Sequence, residues 1–403
     1  MKIQKRLLII CITVLVLTVG LFLIGLIKSN GTCKKVAFYN IPEDHKVSII
    51  KELEYSLSKT VDIIELDSSI PMSMQEKKLK GVSLIFAISD SDNQNFALKN
   101  KKILPISQNF TENMAISIKS AIKQKNGKPA YIPFLYDMYQ MDVNYNMYKN
   151  TSMPQINEWK DLIQVAEEEL PVSPSPVIFT CTSDKEFLNI FGQLFEVFAN
   201  FPAYEKFYNE LYENFQKDMS SNFNTSFCAD FIKDKMESDY DLKNTCSLLK
   251  EMINSGVINS QVLNFSENDT MFFCNNDLAG IVMFKLSDHR KISRETIGHY
   301  KSIYFPSRFM NDERKFASNE YSIMMLKNNR ETQKVILDFT DNLQYELCVS
   351  TGLAPVQKNC KTPDHQADDV RFWLAASSGP LLPLSSAIPE GKTQETIANL
   401  LRY

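Results

Sequence analysis

The residues best suited to binding chemistry lie in one stretch of the chain, between Lys128 and Trp159. Aromatic and acidic side chains stand together there, at Tyr136, Asp137 and Tyr139. Aromatic faces beside carboxylates form a surface that stacks on a flat polyol and accepts hydrogen bonds from its hydroxyl groups. The alternative is that these tyrosines cover the edge of the hydrophobic core, and the pattern by itself leaves both interpretations open.

A second group of polar residues follows predicted strands. Lys35 to Tyr39 has the pattern of a short strand, and Gly81 to Ile88 is a continuous apolar run, which is typical of a strand buried on both faces of a parallel sheet. Because ligands bind beyond the carboxyl ends of the strands in such sheets, we expect the residues at these ends to border a cleft. They are Tyr39, Asn40, Ser89, Asp90 and Asp92.

The motif Asp90-Ser91-Asp92 has another interpretation. Two carboxylates supply hard oxygen ligands for Mn²⁺ or Mg²⁺, and an Asp-x-Asp motif after a strand is how many glycosyltransferases hold a metal and a sugar nucleotide. Asp-Ser-Asp-Asn is also a common turn whose side chains cap the next helix. Turn chemistry favours the capping interpretation, so we predict no metal ligand here, and the transferase remains the alternative function.

The order of the predicted elements indicates an α/β fold. Helical spacing in His45 to Lys59 is followed by a strand at Val61 to Leu66 and by the apolar strand described above. A length of 403 residues indicates two domains or lobes. The helix predicted at Lys185 to Ala199 carries phenylalanines on one wide face, which indicates core packing rather than a cofactor site.

Composition excludes several classes of function. The net charge is -4 without a basic stripe, which argues against a nucleic-acid partner. The chain has 12 glycines and contains neither a G-x-G-x-x-G nor a Walker motif, so nucleotide chemistry is not expected. The 4 histidines are scattered, so no histidine metal cluster and no Ser-His-Asp set is proposed. We assign no catalytic residue and no cofactor.

Three short motifs occur in an order that resembles a known family. They are Tyr145-Asn146-Met147-Tyr148 followed by Pro154 and Trp159, the turn and apolar strand within Met271 to Phe284, and the turn Ser350 to Val356. This series is similar to the family 1 extracellular solute-binding proteins, the sugar-type receptors of ABC importers. The resemblance implies a periplasmic-binding-protein-like fold of two lobes that are joined by hinge crossings.

The resemblance also implies how the chain divides. Residues 1–33 would form a signal or anchor segment. Residues 34–130 with 307–350 would form lobe 1, and residues 131–306 with 351–403 would form lobe 2. The first crossing is expected after Ala130, the second at Ser302 to Pro306, and the third at Thr351 to Pro355.

Further site residues and partners follow from the resemblance alone. In the family, the loop after the strand that corresponds to Ala279 to Leu286 commonly faces the ligand, which implicates Ser287, Asp288 and His289. Thr351 and Gly352 lie in the expected third crossing. The implied partners are a small solute, above all a sugar, and an ABC permease. We expect a monomer that is not an enzyme.

The N-terminus indicates attachment to a membrane. Leu7 to Ile27 is 21 residues without a charge, long enough to cross roughly 30 Å of hydrocarbon. Lys2, Lys5 and Arg6 precede it, which places the N-terminus in the cytoplasm and the rest outside. This segment is an uncleaved helix, a signal peptide or, as the resemblance implies, the leader of a lipoprotein with its lipid on Cys33. Each alternative predicts a folded part on the extracytoplasmic face of the membrane.

The cysteine pairing is not determined by the sequence. Cys11 lies in the apolar segment and Cys33 at the predicted lipid site. The remaining cysteines permit many pairings in an oxidising compartment, and free buried thiols are equally compatible with the sequence. These cysteines are Cys181, Cys228, Cys246, Cys274, Cys348 and Cys360.

Overall fold

The structure is a computed structural model that describes residues 32–148, 156–169, 176–181, 183–216, 225–309 and 312–402. The apolar segment Leu7 to Ile27 and Pro154 of the first motif lie outside these residues. Within the described part of the chain, no helix combines the length and the apolar character that crossing a membrane requires.

Strands and helices alternate along the described chain. The strands are β1 (Lys35–Tyr39), β2 (Asp62–Leu66), β3 (Leu84–Ile88), β4 (Gln124–Lys125), β5 (Lys128–Pro129), β6 (Ile132–Asn144), β7 (Val177–Phe179), β8 (Ile281–Lys285), β9 (Tyr300–Ile303), β10 (Phe316–Met325), β11 (Ala354–Pro355) and β12 (Pro380–Leu381). The helices are α1 (Glu43–Leu57), α2 (Ser91–Lys99), α3 (Ile116–Ala121), α4 (Trp159–Glu169), α5 (Asp184–Ala199), α6 (Phe201–Leu211), α7 (Thr225–Ser238), α8 (Tyr240–Asn254), α9 (Glu267–Asn275), α10 (Leu286–His289), α11 (Arg330–Leu337), α12 (Gln344–Thr351), α13 (His365–Ala376) and α14 (Lys392–Arg402).

One long strand belongs to both halves of the molecule. The strand order is β2-β1-β3-β10-β6-β8-β7, with β1 parallel to β2 and β3 and with β10 antiparallel to β3 and β6. Ile132 to Met138 of β6 pair with β10, whereas Tyr139 to Val143 pair with β8. Because β6 has different neighbours at its two ends, it connects two separately packed bodies.

The two bodies have separate hydrophobic cores and are the lobes of an α/β fold. The first core packs β1, β3 and the start of β6 against α1, α11, α12 and α13. Its centre holds the rings of Phe38 and Phe86, stacked 5.3 Å apart. A further buried cluster covers the other face of this sheet beneath α2. The second core packs the end of β6, β7 and β8 against α5 to α9 and α14. The predicted two-lobe α/β fold is confirmed.

The first crossing extends much further than the sequence indicates. The crossing expected after Ala130 is a strand of 13 residues, because β6 runs from Ile132 to Asn144. Pro133 has no N–H to donate to the ladder, and the pairing with β10 shifts register beside it, between Tyr321 and Ser322. This irregularity accommodates the proline inside a continuous strand.

The other crossings also differ from the expected positions. Ser302 to Pro306 is not a crossing, because β9 pairs with the second-lobe end of β6, at Met141 to Asn144. Instead, β10 passes between the lobes, with Ala317 in the second core and Tyr321 in the first.

The expected third crossing lies in the first lobe. β11 pairs with Leu135 and Tyr136. Side chains from Leu353 to Leu374 pack in the first core, and Leu381 packs in the second. The chain therefore passes between the lobes after Leu374, which differs from the expected boundary at residue 350.

Candidate ligand site between the lobes

A cavity of about 200 Å³, called cavity A below, lies between the two lobes. The first lobe contributes the carboxyl ends of its strands, with Tyr39 and Asn40 after β1 and Ser89 and Asp90 after β3. The second lobe and the crossings contribute Lys185, Glu186, Lys285, Asn319, Ser385 and Ser386. The structure thus brings together four of the sequence-predicted site residues, because the parallel strands β1 and β3 end at the same edge of the sheet.

Asp90 is both a helix cap and a wall of cavity A. Its Oδ1 accepts a hydrogen bond from the backbone N–H of Asn93 at 2.7 Å, and the Asn93 side chain accepts one from the N–H of Asp90 at 3.1 Å. This capping box begins α2 directly after β3. Burial raises the pKa of the Asp90 carboxyl to about 7, and the neighbouring Asp92 also raises it. Asp90 therefore changes protonation near neutral pH.

The two carboxylates of the Asp-x-Asp motif accept hydrogen bonds from different segments of the chain. Asp92 Oδ2 accepts a hydrogen bond from the N–H of Met72 at 3.2 Å, while Asp90 caps α2. Within the described residues, no group of three or more His, Cys, Asp or Glu side chains is placed to hold a metal ion. The capping interpretation describes Asp90, whereas Asp92 binds the segment between β2 and β3.

Tyr39 and Asn40 form the edge of cavity A beside β2. The Tyr39 hydroxyl lies 3.4 Å from the carbonyl oxygen of Ser68 and 3.5 Å from that of Ile70, so its hydrogen bonds are long. Burial raises the pKa of this phenol, which stays neutral. Asn40 has a φ of 57°, a left-handed conformation that asparagine tolerates better than most residues.

Lys285 places a positive charge in cavity A from the end of β8. Its Nζ lies 3.0 Å from Glu186 Oε1 and 3.9 Å from Asp288 Oδ2. Burial lowers the pKa of Lys285, but the Glu186 and Asp288 carboxylates more than offset this effect, and the net pKa is raised. Lys185 is paired with Glu390 at 3.0 Å. Both lysines of the cavity are therefore neutralised by carboxylates.

Solved structures with the same arrangement of lobes cover nearly the whole chain. The bacterial solute receptor AcbH, described with an exclusive preference for β-D-galactopyranose, superposes with a TM-score of 0.67 at 13% identity, over 93% of this chain and 96% of that chain. The chain has the fold of the family 1 extracellular solute-binding proteins. The binding protein MsmE of Bacillus subtilis, in an open conformation, gives 0.64 at 14% identity, over 92% of each chain. A family 1 extracellular solute-binding protein from Bifidobacterium longum subsp. infantis gives 0.60 at 13% identity, over 92% of this chain and 94% of that chain.

Sequence similarity does not add to this finding. No protein-family model matches the chain, and none of the curated proteins matches it by sequence. The resemblance to solute-binding proteins that the short motifs indicate is thus supported at the level of fold, at identities of 9% to 14%.

In this solute-binding-protein fold, three of the predicted aromatic and acidic residues are buried and do not line cavity A. Tyr136 donates a hydrogen bond to Glu320 at 2.9 Å. Asp137 accepts hydrogen bonds from the N–H and the hydroxyl of Ser287, at 2.9 and 2.8 Å. Tyr139 donates to Glu186 at 3.1 Å. Their polar atoms are satisfied by protein, and Tyr139 acts on cavity A by holding Glu186. A direct ligand contact by these three residues stays a prediction.

The residues after β8 form a short helix rather than a loop. Asp288 binds Lys285 and Lys291. His289 is buried with its Nδ1 against Asp142, which also accepts a hydrogen bond from Ser302 at 2.6 Å. These contacts fix α10 against β6 and β9. Neither Asp288 nor His289 lines cavity A, because their side chains are turned into the lobe interior.

Thr351 and Gly352 end a helix in the first lobe. The Thr351 hydroxyl donates to the carbonyl of Leu347 at 2.6 Å, and Gly352 ends α12 with a φ of 77°. A Cβ at Gly352 would lie 2.8 Å from Arg290 Nε, so the position also requires a small residue. Neither residue lines cavity A, and their role as ligand contacts stays a prediction.

The second-lobe residues that line cavity A were not among the predicted site residues. Lys185 and Glu186 begin α5, and Ser385 and Ser386 follow β12. The start of α5 was a detectable signal, because Ser183 precedes an acidic first turn and caps the helix by accepting from Glu186 N–H. That start follows β7 at the same carboxyl edge as Lys285. Nothing in the sequence indicates that the segment after β12 returns to this edge.

The described cysteines are free and buried. They are Cys33, Cys181, Cys228, Cys246, Cys274, Cys348 and Cys360. The thiol of Cys33, the predicted lipid site, is buried in the first core. Lipid attachment there would require the segment around Cys33 to leave the core, and the assignment stays a prediction.

Proposed function

We propose that this protein is an extracytoplasmic receptor that captures a small polar solute, a sugar or an oligosaccharide, between its lobes and delivers it to an ABC permease. The observation that carries the proposal is cavity A. It lies between two separately packed lobes, at the carboxyl ends of β1, β3 and β8, and it is lined by polar side chains from both. Ligands of open α/β sheets bind at this edge.

The lining of cavity A suits a neutral polyhydroxylated ligand. Asn40, Asn319 and Ser385 offer amide and hydroxyl groups, which both donate and accept hydrogen bonds. The Lys285 and Lys185 charges are already paired with Glu186 and Glu390, so a neutral ligand leaves no charge newly unpaired. Among the proteins with this fold, one is described as a chitin oligosaccharide binding protein and another is a sugar transporter from Bacillus licheniformis in complex with stachyose.

Capture would proceed by lobe closure. The lobes touch in this structure, because the hydroxyl of Ser91 donates to that of Tyr208 at 2.9 Å and Asn95 donates to the hydroxyl of Tyr212 at 2.7 Å. Arg290, after α10 in the second lobe, also pairs with Asp364 of the first lobe at 2.5 Å. A ligand that contacts both walls of cavity A favours the closed state only by its higher affinity for that state.

The proposal gives no residue a catalytic role. The transferase alternative needs the Asp90 and Asp92 carboxylates to bind one metal ion, and they are instead used by a helix cap and by Met72. A receptor that has lost its solute remains the other alternative, and it predicts no stabilisation by any solute.

Delivery to a permease places the receptor outside the cell and close to the membrane. The apolar segment Leu7 to Ile27 would supply the attachment, either as an uncleaved helix or as the leader of a lipoprotein with its lipid on Cys33. We propose that the receptor works as a monomer, because each copy carries both walls of cavity A. Mass measurement of the native membrane form would show whether residues before Cys33 are present and whether a lipid is attached.

A thermal-shift screen of the folded protein tests the function. The panel holds monosaccharides, linear oligosaccharides, amino acids, polyamines and sugar nucleotides, with and without Mn²⁺. We expect a saccharide to raise the melting temperature without metal, and we expect its addition to reduce the radius of gyration in X-ray scattering. An Asp90→Ala variant should lose the shift, whereas Glu43→Ala, on the outer surface of α1, should keep it. Stabilisation that requires a sugar nucleotide with Mn²⁺ would favour the transferase instead.

A further inference from the structure

A second and larger cavity, called cavity B below, lies beside cavity A. Its volume is about 400 Å³. The first lobe contributes Ser91 and Gln94 of α2, the second lobe contributes Tyr204 and Tyr208 of α6, and Glu320 of β10 lies between them. Cavity B therefore also lies between the lobes, and its volume is larger than the volume of cavity A, where we place the ligand.

The two cavities adjoin along three segments of the chain. In each segment, consecutive residues face different cavities: Asp90 lines cavity A and Ser91 lines cavity B, Asn319 lines A and Glu320 lines B, and Pro383 lines A and Leu382 lines B. Because neighbouring residues line different cavities in three separate segments, only a thin partition separates cavity A from cavity B. The two cavities would form one continuous groove without it.

Tyr208 completes this partition. Its hydroxyl accepts a hydrogen bond from Ser91 at 2.9 Å and lies 2.7 Å from the hydroxyl of Ser386, which lines cavity A. Its ring stacks on Tyr204, with centroids 6.2 Å apart, and only 6% of the residue is exposed. Burial raises the pKa of the phenol, so it remains a neutral hydrogen-bonding group. One side chain thus connects the α2 wall of the first lobe to the Ser386 wall of the second.

Cavity B has the polar and aromatic character that a further sugar unit requires. The Glu320 carboxylate at its floor accepts hydrogen bonds from Ser89 at 2.6 Å and from Tyr136 at 2.9 Å. A carboxylate has about four acceptor positions, so it can accept further bonds from ligand hydroxyls. Pro380 and Leu382 also line cavity B and offer apolar surface for a sugar ring, next to the buried tyrosines of α6. The charged pair at the rim, Lys315 and Glu205, is internally neutralised at 2.7 Å.

We propose that Tyr208 is the specificity-determining residue of this receptor, and that it limits the ligand of the closed state to a single sugar unit in cavity A. The inference rests on the proposed function. A longer chain would have to pass from cavity A into cavity B through the place that Tyr208 occupies. It would break the hydrogen bonds to Ser91 and Ser386, so the closed state disfavours it. Shortening Tyr208 joins the cavities and admits the second unit.

Titration calorimetry with a size series tests this inference. The probes are D-galactose and D-glucose with lactose, maltose and maltotriose. We expect the unmodified protein to bind a monosaccharide at least about tenfold more tightly than the corresponding oligosaccharides. Tyr208→Ala should shift this ratio towards the longer ligands by about tenfold or more. Tyr208→Phe keeps the buried ring and removes the hydroxyl, so it should shift the ratio in the same direction by less, and it serves if the alanine variant does not fold.

Tyr212→Phe is the matched control. The Tyr212 hydroxyl also accepts an interlobe hydrogen bond, from Asn95, but Tyr212 lines neither cavity. Its removal should leave the size ratio unchanged. The inference fails if the unmodified protein binds the oligosaccharides as tightly as the monosaccharides, if the Tyr208 variants keep the original ratio, or if Tyr212→Phe shifts the ratio equally. If no saccharide binds the unmodified protein, the proposed function fails and this inference fails with it.

Discussion

Lys285 and Glu186 form an ion pair with 3.0 Å between Nζ and Oε1, and both line the cavity between the lobes. The other carboxylate oxygen of Glu186 accepts a hydrogen bond from Tyr139 at 3.1 Å. The first crossing strand, the start of α5 and the end of β8 therefore meet at one carboxylate. This junction fixes the second-lobe wall of the candidate site.

We predict that Lys285→Met lowers both stability and solute affinity. The variant leaves Glu186 and the buried Asp137 without this cation, whereas Asp288 keeps its pair with Lys291 at 3.0 Å. Breaking a largely buried pair costs roughly 3 kcal/mol. Lys185→Met is the control for stability, because its pair with Glu390 is more exposed and contributes about 0–1 kcal/mol. Denaturant unfolding measures the stability of both variants. Adding Glu186→Leu to Lys285→Met should recover part of the loss, and equal destabilisation by the two lysine variants would contradict the prediction.

Asp90 should make stability depend on pH around neutrality. Burial raises the pKa of Asp90 to about 7, whereas the pKa of an aspartate in the unfolded chain is about 3.9. Between these values the folded state binds more protons than the unfolded state, so the contribution of Asp90 to stability falls as pH rises from about 4 to 7. Asn caps a helix as well as Asp does, so Asp90→Asn removes the charge and keeps the cap.

The measurement is the melting temperature of both proteins from pH 4 to 8. We expect the unmodified protein to lose stability relative to Asp90→Asn as pH rises, with the largest gap above pH 7. The other buried carboxyls, Asp137, Glu196 and Glu320, titrate in both proteins and cancel in the difference. Parallel curves over the whole range would refute the assignment.

Arg314 should be essential for the junction of β10 with the second lobe. Its Nε lies 2.9 Å from Glu196 Oε1, its Nη2 lies 2.6 Å from Oε2, and its Nη1 donates to the carbonyl of Phe305 at 2.7 Å. Arg314→Met leaves a buried carboxylate unpaired, which should cost about 3–5 kcal/mol. Lys315→Met, one residue later, breaks a more exposed pair with Glu205 and should cost about 0–1 kcal/mol. Similar denaturation midpoints for the two variants would count against this prediction.

Gly352 should tolerate no side chain at the end of α12. Its φ of 77° costs a residue with a Cβ about 1–2 kcal/mol, and that Cβ would displace Arg290 from its place beside Asp364. We expect Gly352→Ala to lower the melting temperature. Gly298→Ala is matched to it, because a Cβ at Gly298 has open space and the φ there is not left-handed. A Gly352 variant as stable as the Gly298 variant would show that the backbone adapts.

Short-range patterns predicted several elements, since the start and the periodicity of a strand or helix depend on nearby residues. The strand Lys35–Tyr39 and the core-facing helix at 184–199 appear as expected, with Phe187, Phe191 and Phe195 buried. The edge residues Tyr39, Asn40, Ser89 and Asp90 meet at one cavity because parallel strands share a carboxyl edge.

The long crossing strand was not predictable in the same way. Tyr136, Asp137 and Tyr139 have the composition of an exposed binding surface, yet they lie inside the sheet and are buried, with β10 pairing beside Tyr136 and Asp137 and β8 beside Tyr139. A hydrophobic pattern predicts burial only for segments whose buried side chains are apolar and whose polar side chains face the solvent. Here Glu320, Ser287 and Glu186 satisfy these polar atoms inside the protein, and such partners are distant in sequence.

The sequence by itself determined the α/β class and the carboxyl edge of the first lobe, because strand periodicity and the start of α2 are local properties and alternating strands and helices favour a parallel sheet. Only the tertiary structure decided where the chain passes between the lobes and which second-lobe groups complete the site. Those depend on contacts between residues far apart, such as Tyr208 with Ser91 and Lys285 with Glu186. Such contacts produce no periodic pattern in the amino-acid sequence.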